Sequence, residues 1–230
     1  MDFIDDDDEE EICIYSPKYG YNFINSFYFD DHTLLGKEYL KYKPAKIVFW
    51  TSEIGEITGI QTWFRNIVNN NYINSGENKG LNSKYKHIFK IEPNEYLTNC
   101  RLWMNDKAIC KIYLETNLGK NFKIGNVEDE GKEIYINYLK HGNNIIISFL
   151  GSYNKLLESF GLHIIEKKEF MKIMFIGFFE LKKILKNEEK RNEYMERFNK
   201  KEFEYEEEAI FRTCLLPNGP FNEVIKYCIF

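Results

Sequence analysis

From Ile12 to Ile165 turn-forming residues divide the sequence into about ten short segments rich in β-branched and aromatic side chains. None of them shows a convincing helical period, so the pattern predicts an all-β fold. Lys46–Thr51 and Glu56–Arg65 read as consecutive strands around a tight turn at 52–55. In the second, Ile57, Gly59, Gln61 and Trp63 face one way and Thr58, Ile60, Thr62 and Phe64 the other. Both faces therefore carry apolar bulk, as suits the wall of a prism or sandwich. His87–Ile91, Glu95–Trp103 and Ala108–Glu115 follow as strands, separated by turns at Pro93-Asn94 and Asn105-Asp106-Lys107. Lys120–Ile124 and Glu133–Asn137 are shorter strands around a loop at 125–131. Upstream, the aromatic-rich Ile12–Asp31 is a first strand region, 31–43 a connection, and 66–84 a long surface loop.

The strongest local pattern runs from Asn143 to Ile165. Asn144–Leu150 is a continuous apolar strand, and Leu157–Ile165 places Phe160, Leu162 and Ile164 on one side at period two. Between the two lie Gly151, Ser152, Tyr153, Asn154 and Lys155, turn-prone residues of the kind that connect strands at a surface.

That hairpin resembles the closing hairpin of jacalin-related lectin domains of the mannose-binding type, with Gly151 and Gly161 at the family's spacing and Phe149 and Phe160 beside them. Three further segments fall in the family's order: Ile54–Gln61, Phe89–Thr98 and Leu114–Lys120. The resemblance implies a β-prism of three antiparallel sheets over residues 12–165. It also implies a sugar site in the last loop, made by Gly151, Ser152, Tyr153, Asn154, Lys155 and Glu158. The backbone of Ser152 and Tyr153 and the side chains of Asn154, Lys155 and Glu158 would then hold a mannose- or glucose-type glycan. A carboxylate suits that task because charge-assisted hydrogen bonds are short and strong.

Asn154 stands where the family has Gly, and Glu158 where it has Asp. Asn tolerates positive φ, so the turn can survive, while Glu reaches about 1.5 Å further than Asp. On this reading Glu158→Ala removes sugar binding at little cost in stability. The alternative is a β-prism that does not bind sugar and serves as a protein-interaction or scaffold module.

The remaining segments and the overall composition restrict the function further. Asp2–Glu11 is an acidic block that reads as a solvated tail at 1–11. After Ile165, residues such as Phe170, Ile173, Met174, Gly177, Phe178 and Leu181 recur at helical spacing, so 166–230 reads as a mainly helical extension outside the resemblance. It is a candidate surface for a protein partner or a second copy. A net charge of -5 argues against nucleic acid. No run reaches the roughly 18 apolar residues of a membrane span, and the start lacks a signal-peptide pattern, so an intracellular, cytoplasmic protein is expected. Cys13, Cys100, Cys110, Cys214 and Cys228 form no Cys-x-x-Cys pair. His32, His87, His141 and His163 show no metal-ligand spacing, His163 reads as a packed strand residue, and no catalytic motif is present. The expectation is therefore a non-enzymatic chain without metal or cofactor.

Overall fold

The computed structural model describes residues 13–15, 18–21, 23–67, 71–75, 79–80, 83, 85–126, 131–136, 139 and 142–172, with 187, 192 and 196 singly. The first strand region is three short strands, β1 (Cys13–Tyr15), β2 (Tyr19–Gly20) and β3 (Phe27–Asp30). A short helix α1 (Asp31–Leu35) and a 3-10 turn (Gly36–Lys41) lead into β4 (Tyr42–Thr51) and β5 (Ile57–Asn66). Next come β6 (Tyr72–Asn74), β7 (Lys79–Gly80), β8 (Tyr85–Lys90), β9 (Leu97–Met104), β10 (Ile109–Thr116), β11 (Asn121–Gly125) and β12 (Lys132–Tyr135). The hairpin β13 (Asn144–Tyr153) and β14 (Leu157–Glu166) closes the series.

Hydrogen bonding joins β6-β5-β4-β8, with β7 beside β5, into one five-stranded sheet. A nine-stranded sheet runs β1-β14-β13-β9-β10-β11, with β12 on β9, β2 on β14 and β3 on β13. Within it β13 meets β9 at a single residue pair, Ile146 and Leu97. That single bridge joins two antiparallel groups, β1–β3 with β13–β14 and β9–β12. The chain thus presents three antiparallel strand groups around one core. Phe49 and Ile60 enter it from the first, Leu102 and Ile112 from the β9–β12 group, and Phe149, Phe160 and Leu162 from the hairpin group.

Side-chain alternation accounts for this packing. In β10, Ile112 and Leu114 point inward, while Lys111, Tyr113 and Glu115 stay half-exposed. The Phe122 ring stacks on Phe49 at 5.8 Å and on Phe89 at 5.2 Å, and Phe149 stacks on Phe160 at 5.3 Å. β14 departs from simple alternation, being buried along its length up to Ile165. At its end Ile165 joins a smaller cluster with Ile145, Ile147 and Phe170, flanked by Tyr39, Leu40, Ile67, Tyr96 and Met171.

Several elements differ from what the sequence suggests. The 31–43 connection is helical or 3-10 up to Lys41, with Asp30 capping α1 as its carboxylate accepts the His32 N–H at 2.9 Å, and Tyr42 and Lys43 already belong to β4. The 66–84 segment contributes β6 and β7, which pair with β5 and so satisfy backbone groups an edge would leave open. β13 continues to Tyr153 because β3 pairs with it from Leu150 to Tyr153. Residues 167–172 are helical, and apart from the single positions 187, 192 and 196 the rest of the expected helical extension lies outside the described residues. The Phe170 ring, just past Ile165, is buried and lies 6.1 Å from Tyr96. Phe170→Ala is expected to lower stability by about 3 kcal/mol, read as a shifted denaturant midpoint at unchanged slope. Among the described residues no helix is long and apolar enough to cross a membrane.

Candidate functional site

Three turns converge at one end of the strand groups. Asn154–Leu156 link β13 to β14, closed by the Asn154 N–H donating to the Leu156 carbonyl at 3.1 Å. The β9–β10 turn is an Asx turn in which Asn105 Oδ1 accepts the backbone N–H groups of Lys107 at 2.9 Å and Ala108 at 3.0 Å. The β2–β3 turn is closed by the Ser26 N–H on the Phe23 carbonyl at 3.1 Å. They enclose an open groove of about 520 Å3. Asn154, Lys155 and Leu156 line one side, Lys107 another, and Phe23, Ile24 and Asn25 a third, with Glu158 at the start of β14.

Glu158 is the charged residue the fold holds most tightly here. It is 7% exposed, and its Oε2 accepts the Ser26 hydroxyl. The Tyr21 N–H donates to its backbone carbonyl at 3.1 Å, which ties the β2–β3 turn to β14. That close approach requires Gly20. At its φ of +118° a Cβ would lie 2.2 Å from the Glu158 carbonyl oxygen.

The structure divides the residues expected from the sequence. Asn154, Lys155 and Glu158 come together at the groove. Gly151, Ser152 and Tyr153 do not line it, because they belong to β13 with strands on both sides. Gly151 is needed for space: a Cβ there would sit 2.3 Å from the Ser159 carbonyl oxygen and 2.9 Å from the Phe29 ring. The buried Ser152 hydroxyl is engaged with the Ser159 hydroxyl and with the Tyr21 carbonyl at 3.3 Å. Tyr153 stacks on Phe27 at 5.7 Å.

The groove residues that sequence reasoning did not include are Phe23, Ile24, Asn25 and Lys107, together with Ser26, which holds Glu158 from behind the lining. The Asn105-Asp106-Lys107 turn is visible in the sequence, but its partnership with residues 154–156 is not. Tyr21, Phe23, Ile24, Phe27 and Tyr28 are exposed and give this end of the molecule an apolar margin.

Glu92-Pro93-Asn94-Glu95, prominent in the sequence, serves as a staple. Glu95 is buried and accepts the Glu92 N–H at 2.8 Å, the Thr116 hydroxyl at 3.2 Å and the Lys120 ammonium at 3.3 Å. Lys43 reaches the same turn, donating to the carbonyls of Pro93 and Glu95. On β3, burial works to raise the Asp30 carboxyl. The His163 hydrogen bond and charge, with the His32 N–H, outweigh it and hold the group below its ordinary value.

Comparison with known proteins agrees with this architecture. In solved structures the fold resembles wild-type Malaysian banana lectin at 16% identity, covering 67% of this chain and 99% of that one with a TM-score of 0.50. It resembles AcmJRL, a mannose-binding jacalin-related lectin from Ananas comosus, at 14% identity, covering 67% of this chain and 98% of that one, again with a TM-score of 0.50. At such identities the likeness concerns the fold alone. No curated protein matches the sequence. The family model of the jacalin-like lectin domain matches residues 25–163, well over half of the chain, and the protein accordingly belongs to the jacalin-like lectin domain family.

Proposed function

We propose that the chain is a carbohydrate-binding module whose site is the groove between the 23–26, 105–108 and 154–156 turns, taking a mannose- or glucose-type sugar. The three antiparallel strand groups act as the faces of a β-prism, and 166–230 is read as an appended helical segment. The observation that carries the proposal is the placement of Glu158. A carboxylate is held at the groove by Ser26 on Oε2, which leaves Oε1 to accept a sugar hydroxyl. Asn154 and Lys155 supply donors from the exposed side, and Phe23 and Leu156 supply apolar walls. The sugar class follows the mannose-binding description of the Ananas comosus relative.

The exposed margin of Phe23, Ile24, Phe27 and Tyr28 favours a second reading, a protein-interaction module that uses the same end of the prism. A glycan array with the purified full-length chain separates the two. Under the first reading it shows selective binding, and replacing Asn154 and Lys155 together by Ala weakens binding by about 10-fold or more, the loss of roughly 1.5 kcal/mol of hydrogen bonding. Both side chains are exposed, so the melting temperature should hold. A blank array from demonstrably folded protein would instead direct attention to protein partners of the aromatic margin.

A further inference from the structure

The fold assembles a cluster of potential ligands away from any local motif. Asp30 ends β3 opposite Leu150 of β13, while His163 lies on β14 opposite Ser148. β3 and β14 flank β13, and their side chains meet across it: His163 Nε2 is 2.8 Å from Asp30 Oδ1. The His163 side chain is fully buried, whereas that of Asp30 is 38% exposed. The cap at Asp30 turns the chain into α1, which brings His32 back over the same place. The His32 ring centroid lies 5.1 Å from that of His163 and 3.9 Å, edge-on, from that of Tyr39. One ligand atom from each of Asp30, His32 and His163 lies within 4.8 Å of the others.

We infer that Asp30, His32 and His163 form a binding site for a divalent transition-metal ion of the zinc type. Metal–nitrogen and metal–oxygen bonds near 2.1 Å in a tetrahedron place ligand atoms about 3.4 Å apart. The Asp30–His163 pair must therefore open by roughly half an ångström and the His32 nitrogen swing in by about 1 Å, movements that the exposed Asp30 and half-buried His32 can make while the buried His163 stays in place. Two imidazoles and one carboxylate match zinc, copper or nickel, and do not match the all-oxygen preference of calcium or magnesium. Asp30 and His32 open toward solvent, so the ion has a way in and the fourth position falls to water. Bound there, the metal would tie β3, α1 and β14 together. None of the three residues lines the sugar groove, so the inference stands apart from the proposed function.

The test uses full-length, metal-stripped, reduced protein titrated with Zn2+ against a chromophoric chelator, and with Co2+ for its tetrahedral absorption band. Two variants accompany it. His32→Ala removes a half-buried ligand and leaves the Asp30–His163 bond, and Asp30→Asn removes the carboxylate while Asn can still cap α1. Stoichiometric binding by the parent chain, a raised melting temperature and a weakening of at least about 10-fold in each folded variant are expected. No stoichiometric binding in the parent, or affinity retained in either variant, overturns the site. The first result would leave the Asp30–His163 pair as a structural hydrogen bond, and the second would assign the ion to the cysteines or the acidic N-terminus.

Discussion

Replacing Glu158 by Ala is expected to lower affinity for a mannose-type sugar by about 100-fold, because hydrogen bonds to a charged acceptor contribute roughly 1.5–3 kcal/mol each. Isothermal titration with the sugar identified on the array measures it. Stability should fall as well, by about 1 kcal/mol, since the Ser26 hydroxyl loses its acceptor at a groove that water can enter. The sequence alone suggested no such cost. The family resemblance counted Glu158 with the last loop, whereas its side chain belongs to β14 and is nearly covered. Ser26→Ala serves as the control, as it removes the same hydrogen bond while leaving the carboxylate for a ligand. Glycan binding by Glu158→Ala equal to that of the parent chain would sink the proposed site.

Phe160→Ala is expected to destabilise the protein by about 4–5 kcal/mol, toward the upper end of the range for a buried aromatic. Phe160 is fully buried and stacked on Phe149 in the common core. It is also paired in β14 opposite Gly151, and the absence of a side chain there lets Phe29 pack close. Its backbone is fixed in the β13–β14 ladder, which limits how far the vacated space can close. A single cooperative unfolding transition at much lower denaturant concentration is the expected result. A shift corresponding to less than about 2 kcal/mol would mean that the three strand groups do not share one tightly packed core.

How much of this was legible beforehand can be seen in particular segments. β10 was readable because its period-two pattern reflects burial on a defined face, and β5 and β14 because apolar, β-branched and aromatic runs bounded by turn residues suit strands buried on both faces. The expected edges of β4 and β13 fell short because a strand continues for as long as a neighbour supplies hydrogen bonds. For β13 that neighbour is β3, far away in sequence. The same cause moved Gly151, Ser152 and Tyr153 out of the loop in which the family resemblance put them. α1 was missed because its five residues carry no periodic signal, only a capping Asp.

The sequence by itself determined that the chain is mainly β through Ile165, that it resembles jacalin-like lectins, and that Asn154, Lys155 and Glu158 are site candidates. Those features depend on alternation, turn residues and short spacings, which are local. Tertiary structure alone decided that the 23–26 and 105–108 turns complete the groove, that Phe170 belongs to the fold, and that Asp30 and His32 meet His163. These depend on contacts between segments distant in sequence, with Ser26 and Glu158, and Asp30 and His163, each more than a hundred residues apart, where register brings side chains together and sequence spacing carries no signal.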